Sequence, residues 1–483
     1  MSSVQKIAKN TSLLFVSTIV NYILGFFITM YTAQYLGASG FGVLSLALSL
    51  AAIFAVFTDL GLGTVTTREV ARNKTLKDKY LSNTSFLRLG LAVLTFVMLA
   101  LFVNIVNYPT ETKLVIYIIG GSIIINGIAG TFYAIFQAFE EMEFQSISLI
   151  INGVLMFVGT LLAIYYHMDI MIFALLYFIS NLVCLIYTIT VYIWKHSLPK
   201  WNLDKNFIKI TMLAALPLSI VSVFTLIAFR VDIVLISFFK STTDVGWYSA
   251  SYRLLEVFLF IPMVFTTAVF PIFSQFHVSS KDSLKFTYQK SFKYLTILSL
   301  PVAVGVTLLA EPIILLIYKA SFTPSILVLQ ILIWTIPITF LNYIFGSILP
   351  AMNRQNTLLK ITFISMVFNI ALNLVVIPTY SYVGAAVITL LTEAIVISLC
   401  FYVLRSFCAI NIKTVMLKPI VASAVMAGFL LTVHTNLFLE IILAIIIYFA
   451  AILVIKTFDR EDHDILAQII PIDRFKFLDR FFD

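Results

Sequence analysis

Residues 13–33 read LLFVSTIVNYILGFFITMYTA, and no position in the stretch is charged. A helix rises about 1.5 Å per residue, so a run of this length covers the ~30 Å hydrocarbon core of a bilayer. Lys6 and Lys9 precede it in the manner of a signal peptide, but no small-residue cleavage site follows in the usual window. The segment therefore reads as an uncleaved first span.

Working outward, the same pattern repeats along the chain. Of 483 residues, 61% are hydrophobic and 11% charged, whereas soluble domains are nearer 45–50% apolar and about 25% charged. Apolar runs bounded by charges and turn residues place spans at 11–33, 43–66, 85–106, 114–137, 146–166, 170–194 and 211–239. Seven more follow at 245–274, 293–318, 325–349, 358–378, 383–404, 415–434 and 437–456. The expected fold class is an all-α polytopic membrane protein of about 14 transmembrane helices.

Lysine and arginine orient the bundle. With a cytoplasmic amino terminus, the inside segments hold 25 of the 31 basic residues and the outside loops hold 3, Lys113, Lys240 and Lys319. That asymmetry places both termini in the cytoplasm, in the cell membrane. It also accounts for the net charge of +8 without nucleic acid as a partner. One inside loop departs from the rule, with Glu140, Glu141 and Glu143 and no base.

A weak repeat is visible. Phe41-Gly42-Val43-Leu44-Ser45 opens span two and Val245-Gly246-Trp247-Tyr248-Ser249 opens span eight, an offset of 204 residues. Six spans cover about that length, and an even number gives two lobes of the same orientation, related by an axis along the membrane normal. The expected organisation is an amino-terminal lobe at 1–194, a second lobe at 195–404, an extra helix pair at 405–456 and a tail at 457–483. In the tail, Phe475, Leu478 and Phe482 recur at helical spacing among cations, which suits an interfacial helix.

No enzyme site assembles from these residues. The histidines His167, His196, His277, His434 and His463 fall in loops or at span ends on both sides of the membrane. No phosphate-binding glycine loop is present, and Cys184, Cys400 and Cys408 show neither pairing nor metal-ligand spacing. The expectation is a protein that is not an enzyme, with no cofactor and no metal. Its candidate residues are the ionisable groups inside spans, which are costly there. Around the turn at Thr242 and Thr243, Asp232 and Arg253 lie at equal depth, as nearly do Arg230 and Glu256. They read either as neutralising pairs that fasten a hairpin or as an arginine facing a polar cavity with an acid setting its rotamer. Asp59, Arg68 and Arg88 cluster near the inner end of spans two and three, and Glu393 is a single acid in span twelve. These four read as coupling or structural groups. Pro217, Pro262, Pro301 and Pro337 are expected to kink their spans.

Tyr35-Leu36-Gly37-Ala38-Ser39-Gly40-Phe41-Gly42, Asp59-Leu60-Gly61-Leu62 and Arg68-Glu69 resemble the start of Wzx-type polysaccharide-repeat flippases. Val245-Gly246-Trp247-Tyr248, Tyr252-Arg253-Leu254-Leu255-Glu256, Pro262 and Phe270-Pro271 resemble that family's seventh and eighth spans. Asn369, Asn373, Ile377-Pro378 and Gly384-Ala385-Ala386 resemble its eleventh and twelfth. The resemblance implies the multidrug/oligosaccharidyl-lipid/polysaccharide exporter fold, two six-helix lobes in a V with alternating access. It implies a polyprenyl-(di)phosphate-linked oligosaccharide as substrate, membrane lipids as surroundings and other glycan-assembly proteins as further partners. The Arg253 to Pro262 run is similar to a segment of lipid II flippases, which implies a cavity-facing Arg253 that meets the diphosphate. Those flippases also carry arginines in span one, whereas Leu13–Ala33 has none. The amino lobe is then left to engage sugar through Asn21, Thr29 and Gln34. The alternatives are a cation-coupled multidrug exporter of the same fold and a membrane glycan-assembly enzyme, the latter disfavoured by outside loops too short to hold donor and acceptor.

Overall fold

The computed structural model describes residues 3–405, 412–433, 435–459 and 461–462, and among them the only regular structure is helix. Expectations that fall on Cys408, His434, His463 and the aromatic stretch ending at Phe482 lie outside the described residues. Among the described residues, eleven helices are long and apolar enough to cross a membrane, or twelve with the pair Ser325–Leu332 and Thr335–Ala351, which meet at 41°. Two of these are too long for one crossing. Ser3–Asp59 runs 57 residues and Gln355–Leu404 runs 50, while a span needs about 20. Each is interrupted by one non-helical residue, Gly37 (φ 66°) and Ser381 (φ 50°). Dividing them there brings the count to about fourteen, as the hydropathy pattern requires.

Contacts confirm that Ser3–Asp59 folds back on itself. Before Gly37, Asn21 lies beside Gly153, and Tyr35 Oη donates to Met168 O at 2.9 Å, so this half follows Met142–Tyr165 to its far end. After Gly37 the chain returns, because Asp59 reaches Arg88, near the start of Lys77–Val106.

Side chains divide between lipid and protein in the sense opposite to a soluble helix. Along Lys77–Val106, Leu94, Met98, Leu101 and Ile105 are exposed at helical spacing, while Ala92, Thr95, Leu99 and Val103 are buried. The exposed ridge has the chemistry of lipid tails, and the buried one is small enough for neighbouring helices to approach.

By compactness the chain forms two units, Met1–Ala250 with Thr362–Ala385, and Ser251–Ile361 with Ala386–Asp483. The first contains a close helix crossing. A Cβ added at Gly42 would overlap the Thr242 carbonyl oxygen and lie 2.9 Å from Gly246 N, and one at Gly246 would overlap the Ala38 carbonyl oxygen. The crossing is reciprocal. Ala38 and Thr242 each stand four residues before the glycine of their own segment, both pairs are offset by 204, and Ser39 and Thr242 share a hydroxyl hydrogen bond of 3.0 Å.

In the second unit, proline sets the helix breaks. Leu259, Leu309 and Trp334 interrupt their helices, and each stands three residues before a proline, Pro262, Pro312 and Pro337. A proline has no N–H for the carbonyl four residues earlier, and its ring crowds that carbonyl, so the preceding turn opens. Pro217 and Pro301, also expected to kink their spans, lie inside the helices Lys205–Phe239 and Lys281–Leu308 without a break.

Candidate functional site

Among the described residues, the ionisable candidates Asp59 and Arg88, Asp232, Arg253 and Glu256, and Glu393 form four local arrangements. In the first unit, Arg88 is 4% exposed and bonded to Asp59, whose Oδ1 also accepts from Gly63 N at 3.0 Å. The guanidinium fits because its walls are glycine: a Cβ at Gly63 would sit 3.0 Å from Nη2, and one at Gly130 would sit 2.5 Å from Nη1. Asp59 itself is half exposed at the start of Leu62–Arg72. Arg68 does not join this pair; its Nε donates to Glu69 Oε1 at 2.8 Å on the exposed side of the short helix.

Asp232, also in the first unit, is 2% exposed. Its carboxylate accepts from Tyr248 Oη and from Asn373 Nδ2, both at 2.8 Å, and Asn373 Nδ2 also donates to Asn369 Oδ1 at 3.2 Å. Hydrogen bonds to a charged group are worth about 1.5–3 kcal/mol each, which is how a buried carboxylate is tolerated. Arg230 stands over the Phe229 ring at 5.4 Å. Sequence reasoning named Asp232 and passed over Tyr248, Asn369 and Asn373 as site residues. The signal was present: two carboxamides four apart share one face of an apolar span, where polar groups need a reason.

Arg253 and Glu256 belong to the second unit. Arg253 Nη1 donates to Glu256 Oε2 at 2.8 Å along one face of Thr242–Phe258, as their spacing of three predicts. Glu256 is the more buried of the two, at 15% against 36% side-chain exposure. The acid therefore orients a guanidinium that is the more exposed member of the pair. In the same unit Glu393 Oε2 accepts from Asn342 Nδ2 at 2.6 Å.

The remaining candidates do not join these clusters. Asn21 donates to Ser17 O at 3.0 Å, with its carbonyl against Gly153, and Gln34 is half-buried. The acidic loop that departed from the charge rule has a local counterpart, since Glu141 Oε2 lies 2.8 Å from His196 Nε2, against the Phe139 ring. Among the described residues, no group of three or more His, Cys, Asp or Glu could hold a metal ion.

The sequence profile of the family described as "Polysaccharide biosynthesis protein" matches residues 7–277, more than half of the chain. The chain belongs to this family. A second profile, MatE, matches residues 217–375 of this polysaccharide biosynthesis family member. Among curated relatives, it is 24% identical over 251 residues to the probable low-salt glycan biosynthesis flippase Agl15 of Haloferax volcanii, covering 50% of this chain and 53% of that one. It is 28% identical over 249 residues to the probable lipid II flippase MurJ of Vibrio cholerae, covering 48% and 46%. The chain thus spans about half the length of the curated relatives it matches. Its fold is similar to that of the lipid II flippase MurJ in an inward closed conformation, with a TM-score of 0.75, 18% identity and coverage of 91% and 97%. It is also similar to an inward-facing multidrug resistance MATE family transporter, with a TM-score of 0.68, 13% identity and coverage of 80% and 94%. This member of the family is therefore a multi-pass membrane protein of the exporter fold that the motifs implied.

Proposed function

We propose that the protein translocates a polyprenyl-(di)phosphate-linked oligosaccharide across the cytoplasmic membrane by alternating access, in the service of surface polysaccharide or glycan assembly. The observation that carries the reading is Arg253, a guanidinium inside a span that is oriented by Glu256 and whose side chain is still 36% exposed. A diphosphate leaving water needs a fixed cation, and the planar fork of arginine presents paired N–H groups to phosphate oxygens. The glycan- and lipid II-flippase names of the relatives support the same substrate class.

The transport frame is two six-helix lobes, 1–194 and 195–404, with 405–456 as a peripheral pair and both termini cytoplasmic. The reciprocal glycine crossing at an offset of 204 supports the repeat, and the 25-to-3 distribution of basic residues supports the orientation. A second reading, a cation-coupled drug exporter, draws on the MatE match over 217–375.

The test is translocation in vesicles of a labelled lipid-linked oligosaccharide beside efflux of a cationic dye. The saccharide is expected to move and the dye to stay. Arg253→Lys keeps the charge and loses the fork, and is expected to slow translocation about tenfold or more at equal protein level, which is about 1.4 kcal/mol of lost recognition. Dye transport without saccharide transport selects the exporter, and wild-type rates in Arg253→Lys remove that residue from the site.

A further inference from the structure

Glu393 and Asn342 take no part in the hydrogen bonds of Arg253 or Asp232 described above, and the flippase reading assigns them no task. Both lie in the second unit, on helices Gln355–Leu404 and Thr335–Ala351. Asn342 Nδ2 spends both hydrogens on Glu393, one on the carboxylate Oε2 at 2.6 Å and one on the backbone oxygen at 3.4 Å. This double donation fixes which end of the amide is nitrogen, because an oxygen there would face two acceptors. The other end, Asn342 Oδ1, is buried and has no hydrogen-bond partner. An orphaned buried carbonyl costs about 1–3 kcal/mol, so a donor is missing.

The groups that surround Glu393 narrow what that donor is. Its own helix brings Cys400, seven residues on, into electrostatic range, and the facing helix brings Asn342 and the Thr339 hydroxyl. No lysine, arginine or histidine pairs with Glu393 among the described residues. Lys290 and Lys293 of the same unit are committed to Asp459 and Asp462. The Asn342 amide and the Thr339 hydroxyl hydrogen-bond the Glu393 carboxylate, but no cation does, so inside a span much of the cost of its charge is left standing. One proton on its second oxygen removes that charge and supplies an O–H to the amide that already bonds the first. A carboxylic acid and a primary amide can complement each other donor to acceptor twice, and the first of those two bonds is the one from Asn342 Nδ2 to Glu393 Oε2.

We infer that Glu393 and Asn342 form a proton-binding site, in which neutral Glu393 is held at neutral pH as an acid–amide pair. The proton comes from bulk water by simple protonation of the carboxylate, with no other co-reactant. Because its second bond is made to a different helix, occupancy is tied to the pairing of the two helices. Parting them leaves the acid without its amide and returns the proton to solvent.

Infrared difference spectroscopy of the full chain in lipid at neutral pH tests this without any transport substrate, so its outcome is independent of the flippase reading. The wild type is expected to show the C=O stretch of a protonated carboxyl, shifted in heavy water and absent in Glu393→Gln, which retains an uncharged side chain of the same shape. In Asn342→Leu the band is expected to persist at higher frequency, since the carbonyl has lost the amide N–H. A wild-type spectrum with no protonated-carboxyl band removed by Glu393→Gln overturns the inference. So does a band that is unchanged in frequency in Asn342→Leu.

Discussion

Alanine at Gly42 or Gly246 tests the close, reciprocal helix crossing in the first unit. At either position the new Cβ overlaps a carbonyl oxygen of the facing segment, Thr242 at one and Ala38 at the other. Backbone cannot rotate aside as a side chain does, so the two helices must part by roughly 1.5 Å before the methyl group is in ordinary contact. Overpacking of this kind costs about 1–3 kcal/mol, and even one or two kcal/mol changes the folded-to-unfolded ratio about 5- to 30-fold. Because the contact is reciprocal, the strain is shared. Once the first methyl has parted the helices, the second finds room, and the double variant should lose about 1 kcal/mol less than the sum of the singles. Gly90 and Gly346 are internal controls, with nothing within 4 Å of an added Cβ, and alanine there should be neutral or stabilising by up to about 1 kcal/mol. Thermal unfolding in detergent, followed by tryptophan fluorescence, reads all five variants and the wild type on one scale. If Gly42→Ala and Gly246→Ala melt with the two controls, or if their effects add fully, the crossing is not what the geometry makes it.

Three further outcomes are expected. Asp59→Ala strips Arg88 of its carboxylate and should destabilise by about 3 kcal/mol, the low end for a broken buried pair because Asp59 keeps water on one side; Arg88→Leu added to it should restore much of the loss in the melting curve, and an unshifted melt in the single variant contradicts the pairing. Burial pushes the Asp459 carboxyl up, but hydrogen bonds from Lys290, the Asp462 backbone N–H and Lys293 outweigh it and hold it below the usual range. A depressed acid adds stability above its unfolded value of about 3.9 and gives it up as pH falls through the folded value, so hydrogen exchange of residues 455–459 should stay slow at pH 5 and quicken only below about pH 4; quickening already at pH 6 refutes the assignment. Cysteines introduced at Ser241 and Tyr380 should react with an impermeant reagent from outside the cell and one at Ser280 should not, and the reverse pattern would invert the proposed orientation.

What the sequence disclosed, and what it withheld, follows from the range of the forces involved. Span positions were readable because each is set by some twenty residues of its own, and the Arg253–Glu256 pair because its partners are three apart on one helix. The repeat was readable as a length, but the reason for its glycines was not, since the carbonyl that excludes a side chain at Gly246 belongs to Ala38, over 200 residues earlier. The same holds for Asp232, which depth set opposite Arg253 but which is bonded by Asn373, and for Glu393, which looked isolated in its span and is bonded by Asn342: each of these partners comes from another helix. Proline gave a mixed signal. Pro262 and Pro337 stand near helix breaks while Pro217 and Pro301 do not, because a missing N–H opens a turn only where the surrounding packing accepts the bend.

The single-residue turns at Gly37 and Ser381 bear on how the chain is made. One residue spans at most about 3.6 Å, so neither turn has the slack to let its first helix settle in lipid while the second waits in an aqueous channel. Ser3–Asp59, whose two halves fold back at Gly37, is then expected to leave the ribosome-bound translocation machinery as a preformed hairpin, a unit of insertion in its own right. A slowed or paused synthesis between the two arms of such a pair would strand an apolar helix with its partner still unmade.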